Sequence, residues 1–185
     1  MKKRVFIAIN LPENIKEELN KLLSLCRKIN SQPVIRYVKA KGIHLTLHFL
    51  GYLDEQQINQ VKAVMQNSAI NFQRTDLTTG QINAFPDFKN PRVIFLSSQG
   101  KGKDTLANLQ KNLGQDLEKI GIEVDHRAWQ PHLTLARIVG PTQFKTENIK
   151  LPRLEIPVTS IKLMESQLLP NGAEYEVLAS FTLKN

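Results

Sequence analysis

Residues 42–51 read Gly-Ile-His-Leu-Thr-Leu-His-Phe-Leu-Gly, and the four residues His44-Leu-Thr-Leu47 within this stretch occur again as His132-Leu-Thr-Leu135. In each copy polar and apolar residues alternate with a period of two, which is typical of a half-buried β-strand. One face of such a strand carries His and Thr, and the other face carries Leu. The repeat therefore predicts two similar strands, each with an imidazole beside a hydroxyl group.

The composition limits the class of protein. The chain has 185 residues, of which 41% are hydrophobic, so it can bury a core as one compact domain or as two fused lobes. Its single cysteine, Cys26, lies in a helical pattern typical of a core, cannot form an internal disulfide and fits a reducing cytoplasm. The apolar run at residues 5–9 is too short for a signal peptide or a membrane span.

Three stretches show the periodicity of amphipathic helices. The first follows Pro12 and runs toward Cys26, the second begins after the candidate N-cap Asp54, and the third ends at the candidate C-cap Gly121. β-rich runs lie between and after them, and the last two runs are joined by Pro-Asn-Gly at residues 170–172, which is a hairpin signal. Helices separated by pairs of strands predict an α+β fold rather than a doubly wound parallel sheet.

The two motifs are nearly half the chain apart, which indicates two pseudo-equivalent lobes. If the strands face each other across a cleft, the site holds two imidazoles that exchange protons near neutral pH and two hydroxyl donors. This set suits in-line displacement at phosphorus, with one histidine as base, the other as acid, and Thr46 and Thr134 on the non-bridging oxygens. A strained cyclic phosphodiester is the natural substrate class. The residues alone do not tell which histidine is the acid.

A structural role and a metal site are the alternatives for the motif residues. One strand His beside Thr is usually a satisfied polar residue, but two copies favour function, because packing constrains size and not the identity of His and Thr. His44 and His48, four residues apart on a strand, are separated by about 13 Å and cannot share a zinc ion. We expect His48 on the same face as His44, either lining the cleft or exposed, and His126 on the surface.

The charge raises one more alternative. Lys and Arg exceed Asp and Glu and give a net charge of +8 at pH 7, which favours polyanionic partners such as nucleic acid. An RNA-binding module that uses only this basic surface would bind through Lys and Arg. It would not need two His-Thr pairs, so the motifs favour an enzyme.

With their flanks, the motifs resemble those of a known family. His44-Leu-Thr-Leu47 with Phe49-Leu-Gly51, and Pro-His-Leu-Thr-Leu-Ala-Arg at residues 131–137, are similar to the two signatures of the 2H phosphoesterase superfamily. More narrowly, the chain resembles the RNA 2′,3′-cyclic phosphodiesterases first described as 2′-5′ RNA ligases, over essentially its whole length. The resemblance implies a LigT-like α+β fold in one domain, residues 1–185, with two pseudo-symmetric lobes, each an antiparallel sheet backed by helices, around a central cleft.

The same resemblance implies an activity and the roles of four residues. The activity is metal-independent hydrolysis of an RNA 2′,3′-cyclic phosphate to a 2′-phosphomonoester, with no cofactor. His44 is implied as the acid that protonates the leaving 3′ oxygen, His132 as the base that activates water, and Thr46 and Thr134 as phosphate ligands. Ligation of tRNA halves through a 2′-5′ bond, and hydrolysis of a small cyclic nucleotide, are alternatives at the same site. The implied partner is RNA with 2′,3′-cyclic phosphate ends, including tRNA fragments. We expect the protein to be a cytoplasmic monomer that binds no membrane.

Further candidates for substrate contacts are Arg137, His48, Tyr37 and Arg92. Arg137 fits the family motif, but strict alternation puts it on the Leu face, so we expect it at the strand end, holding a phosphate or pairing with an acidic residue. Tyr37 stands where the family often has Trp. Phe49 either stacks on a base or packs in the core. Gln130 stands where a basic residue is expected.

Overall fold

The computed structural model describes residues 1–169 and 172–185. The first two residues of the predicted hairpin turn, Pro170 and Asn171, lie outside the described residues. Over the described part, the chain forms three α-helices, one 3-10 turn and nine β-strands. The helices are α1 (Glu13–Ile29), α2 (Glu55–Asn71) and α3 (Gly102–Lys119), and the 3-10 turn is Ala40–Gly42. The strands are β1 (Lys3–Asn10), β2 (Ile35–Tyr37), β3 (His44–Leu53), β4 (Thr75–Phe85), β5 (Val93–Gln99), β6 (His132–Ile138), β7 (Glu155–Val158), β8 (Ser160–Leu169) and β9 (Gly172–Thr182).

All nine strands belong to one curled sheet, and its strand-to-strand pairings are antiparallel. The order is β7-β4-β5-β6-β3-β1-β8-β9, and the short strand β2 also pairs with β6. The α+β class predicted from the sequence is confirmed. None of the helices in the described ranges has the length and apolar character needed to cross a bilayer.

The sheet has two halves, each with one motif strand at its inner edge. The first half is β9-β8-β1-β3 and the second is β6-β5-β4-β7. They meet through one register pair, Leu45 opposite Leu133, after which β3 and β6 separate and β2 takes the free edge of β6. The two lobes expected from the motif spacing are therefore halves of one sheet rather than two sheets.

The helices form as the sequence pattern predicts. Helix α1 buries the expected apolar stripe: Ile15, Leu19, Leu22, Leu23 and Cys26. Asp54 caps α2 by accepting from the Gln57 amide at 2.9 Å, and the Gln57 side chain accepts from the Asp54 amide at 3.1 Å. Gly121 follows α3 with φ of 79°, a left-handed conformation that glycine adopts at little cost.

Both motif strands contain a β-bulge at the same place. Against β1, Ile7 pairs with His48 and Ala8 pairs with Thr46, so Leu47 is the extra residue of β3. Against β5, Ile94 pairs with Ala136 and Phe95 with Thr134, so Leu135 is the extra residue of β6. A bulge reverses the alternation of the faces beyond it. The two strands consequently share the same order of buried and exposed positions over residues 44–50 and 132–138.

Candidate active site

The four motif residues lie on one face of the sheet, where its two halves meet. The antiparallel pair Leu45–Leu133 places His44 across from Thr134, and Thr46 across from His132. The recorded pairing of β3 and β6 is the pair Leu45–Leu133, and the four motif residues flank this pair on the two strands. Each imidazole therefore has one hydroxyl beside it on its own strand and a second hydroxyl across the joint.

Both motif histidines are held by the same local hydrogen bond. His44 Nδ1 lies 2.8 Å from the carbonyl oxygen of Gly42, and His132 Nδ1 lies 2.7 Å from that of Gln130. Because a carbonyl oxygen only accepts, Nδ1–H donates in both rings, and Nε2 is the nitrogen left to exchange protons. The expected basic side chain at position 130 is absent, but its backbone carbonyl orients the second imidazole.

The surroundings of the two imidazoles lower their pKa values. For His44, burial is the main cause, the Gly42 carbonyl opposes it, and the charge of His132 lowers the pKa further. For His132, burial is again the main cause, the Gln130 carbonyl opposes it, and Arg137 lowers the pKa further. A phosphate anion bound between the two imidazoles would favour the protonated form of one ring.

Aromatic rings from the neighbouring strands hold the imidazole of His44. Its ring centroid lies 4.8 Å from that of Phe6 on β1 and 5.0 Å from that of Tyr175 on β9, the second contact at 82°. Tyr175 also lies close to Gly42, where an added Cβ would be 3.3 Å from the ring. The sequence reasoning missed both aromatic residues as parts of the site, because they come from opposite ends of the chain.

A second aromatic pair supports the imidazole of His132. Phe85 and Phe95 stack with centroids 4.1 Å apart, and each ring centroid lies 5.2 Å from that of His132. Phe95 pairs with Thr134 in the register of β5 and β6, so it shares the face of the motif residues. Alternation within residues 92–96 does not show by itself which face of β5 points to the motif residues, so it could not identify Phe95 as part of the site.

Trp129 connects the segment before β6 to the first motif. Its indole N–H donates to the Thr46 carbonyl at 3.0 Å, and the side chain packs against the core. This bond occupies a backbone acceptor of β3 beside the point where the pairing of β3 and β6 ends. Trp129 therefore fixes the spacing between the two motif strands, a role that its sequence position alone did not indicate.

His48 does not lie on the cleft face, which corrects the expectation from simple alternation. The bulge at Leu47 turns its side chain to the helix side, where it is 4% exposed and contacts Gly114 of α3. Its Nε2 lies 2.7 Å from the Gln110 carbonyl oxygen. His48 and His44 therefore point to opposite faces and cannot bind one metal ion together.

Tyr37 and Arg92 also lie away from the motif residues, so their predicted substrate contacts are corrected. Tyr37 pairs with Ala136, packs against the core, and donates its hydroxyl hydrogen to the Asn30 carbonyl at 3.0 Å. Arg92 is exposed and extends β5 by one residue, its carbonyl accepting from the Ile138 amide at 2.9 Å. Alternation along β5 puts Arg92 on the face opposite to Phe95.

Arg137 lies on the same face as His132 and Thr134, although strict alternation predicted the Leu face. The bulge at Leu135 accounts for the difference: Arg137 pairs with Val93, two residues from the partner of Thr134. Its equivalent in the first motif strand is Phe49, whose side chain is 60% exposed on the motif face and not in the core. The two halves thus carry an arginine and a phenylalanine at matched positions.

The remaining histidine and the cysteine are placed as expected. His126 is exposed, with Nε2 3.1 Å from a carboxylate oxygen of Glu118. Cys26 is buried and free, and burial raises the pKa of its thiol to about 11, which makes it unreactive. The part of the chain that the structure describes contains no cluster of three or more His, Cys, Asp or Glu with the geometry of a metal site.

Relatives with assigned names match most of the chain. It is 29% identical over 181 residues to the RNA 2′,3′-cyclic phosphodiesterase of Methanocaldococcus jannaschii, covering 95% of this chain and 98% of the relative. It is 30% identical over 135 residues to the Bacillus subtilis protein of the same name, covering 71% and 69%. These proteins are similar to this chain in sequence over the greater part of its length.

Solved structures and the family signature agree with the sequence relatives. A crystal structure of TT0787 from Thermus thermophilus superposes with a TM-score of 0.80 at 27% identity and covers 97% of each chain. Escherichia coli LigT complexed with 3′-AMP has the same fold, with a TM-score of 0.79 at 23% identity over 100% of both chains. The signature of the 2′-5′ RNA ligase superfamily matches residues 12–168. This chain therefore belongs to the 2′-5′ RNA ligase superfamily.

Proposed function

We propose that the protein hydrolyses the 2′,3′-cyclic phosphate at the end of an RNA to a 2′-phosphomonoester. The observation that carries this proposal is the matched pair of imidazoles, His44 and His132, each with Nδ1 bonded to a carbonyl oxygen, which leaves Nε2 to exchange protons. Two such groups facing one phosphate can donate and accept protons in the same displacement. The names of the relatives, RNA 2′,3′-cyclic phosphodiesterases, support the substrate class.

The proposed reaction is an in-line displacement at phosphorus. His132 takes a proton from water through Nε2 as the water oxygen forms a bond to phosphorus. The bond from phosphorus to the 3′ oxygen breaks, and His44 gives its Nε2 proton to that oxygen. Thr46 and Thr134 donate hydrogen bonds to the non-bridging oxygens, where charge accumulates. The assignment of acid and base to the two histidines rests on the family resemblance, because their local bonds are equivalent.

Ligation at the same site, by the same displacement with a different nucleophile, is a second candidate. The superfamily is named after 2′-5′ RNA ligation. In that reaction a 5′ hydroxyl replaces water as the nucleophile. Attack by water and attack by a hydroxyl group pass through similar transition states at phosphorus, so one cleft can stabilise both. Analysis of the products from paired tRNA fragments with cyclic phosphate and 5′-hydroxyl ends distinguishes ligation from hydrolysis.

The cellular setting follows from the same proposal. We infer a monomer, in one domain over residues 1–185, that acts on RNA ends, including those of tRNA fragments. A cytoplasmic location suits the lone free cysteine, since a reducing compartment needs no disulfide. The net charge of +8 favours approach of a polyanion. The mechanism needs no metal ion or cofactor.

Hydrolysis of a defined RNA end tests the proposal. An oligoribonucleotide ending in a 2′,3′-cyclic phosphate is incubated with the protein in EDTA, and the 2′-phosphate product is measured. His44→Ala and His132→Ala should each lower kcat by about 10²-fold or more, the usual weight of acid-base catalysis. His126→Ala, at the exposed histidine, is the matched control and should retain activity. If the wild-type protein releases no product at high concentration, the proposed activity is rejected. A non-catalytic RNA-binding module would instead bind RNA in a salt-dependent way that survives both histidine substitutions.

A further inference from the structure

Two arginines stand side by side on the motif face, just beyond the second motif. Arg36 of β2 lies directly opposite Arg137 of β6 in the antiparallel register. Directly opposed residues project to the same side of the sheet, and Arg137 shares its side with Thr134 and His132. The guanidinium of Arg36 is therefore carried to the active-site face by a strand that contains no motif residue.

The two arginines lie within reach of the phosphate site. Thr134 and Arg137 pair with Phe95 and Val93, which are two residues apart on β5, so they are separated by about 6.6 Å along the strands. Arg36 is one strand spacing further, about 5 Å. The charge of Arg137 contributes to the lowered pKa of His132, which is further evidence of its proximity.

The arrangement is unfavourable for the free protein. Like charges directly opposite on neighbouring strands destabilise a sheet. Both side chains are exposed, and within residues 1–169 and 172–185 neither guanidinium forms an ion pair or a side-chain hydrogen bond. A bound anion between the two side chains would remove the repulsion and accept hydrogen bonds from both forks.

We propose that Arg36 and Arg137 form a subsite for the phosphodiester that precedes the terminal nucleotide of the RNA. This inference rests on the proposed function, because it assumes that the reacting phosphate occupies the space between His44 and His132. An RNA chain has its next phosphate one nucleotide from that position. A free cyclic mononucleotide has none. The subsite would therefore make the protein prefer the end of an RNA chain over a small cyclic nucleotide.

Binding of unreactive ligands tests the subsite separately from turnover. The ligands are a single-stranded tetranucleotide with a 2′-O-methyl, 3′-phosphate end and the corresponding mononucleotide, measured with wild type, Arg36→Gln and Arg153→Gln. Arg153 precedes β7, three strands from β6, so its variant makes the same charge change away from the site. We expect Arg36→Gln to raise Kd for the tetranucleotide about 10-fold or more, the usual effect of losing a charged hydrogen bond. The decisive quantity is the ratio of Kd for the mononucleotide to Kd for the tetranucleotide, which Arg36→Gln should lower.

The salt dependence supplies a second readout. Loss of one phosphate contact should reduce the slope of log Kd against log salt by about 0.7 for the tetranucleotide, and Arg153→Gln should leave the slope unchanged. Equal weakening of both ligands by Arg36→Gln, or no weakening of either, would overturn the proposed subsite. Turnover of the cyclic-phosphate substrates by the wild-type protein is scored independently. If the wild-type protein does not hydrolyse these substrates but the binding results are as expected, the proposed activity is rejected and the proposed subsite is retained.

Discussion

Leu45 lies directly opposite Leu133, and this pair joins the two motif strands. Both side chains are fully buried on the core side of the sheet, opposite to the motif residues, so their packing sets the distance between the two halves of the active site. We expect Leu133→Ala to lower the free energy of unfolding by about 2 to 5 kcal/mol, because it leaves a cavity at this joint. Denaturation by urea measures the change. Ile70→Ala, at an exposed position of α2, is the control and should change stability by about 0.5 kcal/mol or less. Equal effects of the two substitutions would contradict the role of the joint.

The pH dependence of hydrolysis follows from the lowered pKa values of the two imidazoles. Activity needs one protonated and one neutral ring, so kcat/KM should follow a bell-shaped curve. Both pKa values are shifted downward. The maximum should therefore lie below about pH 6.5, the usual histidine value, and activity should fall as pH rises through the pKa of the acid. Initial rates with a cyclic mononucleotide between about pH 4.5 and 8, a range that brackets the usual histidine pKa, provide the test.

A substitution at Arg137 tests which limb of this pH curve reports the titration of His132. Its positive charge lowers the pKa of His132, so Arg137→Gln should move the limb that belongs to His132 to higher pH. Arg153→Gln serves as the control and should leave both limbs in place. A wild-type maximum above about pH 7, or an unshifted curve in Arg137→Gln, would contradict this account.

The sequence pattern predicted the α+β fold and the motif residues because both depend on short-range regularities. Alternation in two identical four-residue strings placed His44, Thr46, His132 and Thr134 on the polar face, and the helical periodicities of α1 to α3 needed no tertiary information. The pattern failed just after each motif, at His48 and Arg137. A bulge adds a residue in response to pairing with a neighbouring strand, and alternation along a single strand contains no signal of it.

The residues that surround the imidazoles could not be predicted from the sequence for a different reason. Tyr175 and Phe6 come together only because β1 and β9 flank β8 in the sheet, and this strand order is a property of the whole topology. Arg36 acquires its position in the same way, through the pairing of β2 with β6. Sequence reasoning recognises a residue type and its local face, whereas the partners across the sheet depend on long-range register.

Tyr175 supports His44 through its ring, which packs edge-on at 5.0 Å between centroids. Tyr175→Ala should lower kcat for a cyclic mononucleotide by about 10-fold to 10²-fold, because the imidazole loses one of the two rings that hold it. Tyr175→Phe keeps the ring and should restore most of the activity. Val177→Ala, at an exposed position on the same strand, controls for general effects on β9. If Tyr175→Phe is as slow as Tyr175→Ala, the hydroxyl group rather than the ring is responsible.

Gly114 accommodates the imidazole of His48 against α3. A Cβ added at Gly114 would lie 2.9 Å from His48 Cε1, too close for an undisturbed structure. Alanine normally stabilises a helix by about 1 kcal/mol relative to glycine. Gly114→Ala should nevertheless lower the free energy of unfolding, because the buried imidazole has to move and its hydrogen bond to the Gln110 carbonyl is disturbed. In the background of His48→Ala the same substitution should become neutral or stabilising, since the obstructing ring is gone. Urea denaturation of the four proteins in this double-mutant cycle gives the coupling energy. A coupling near zero would show that the contact between His48 and Gly114 does not constrain the helix.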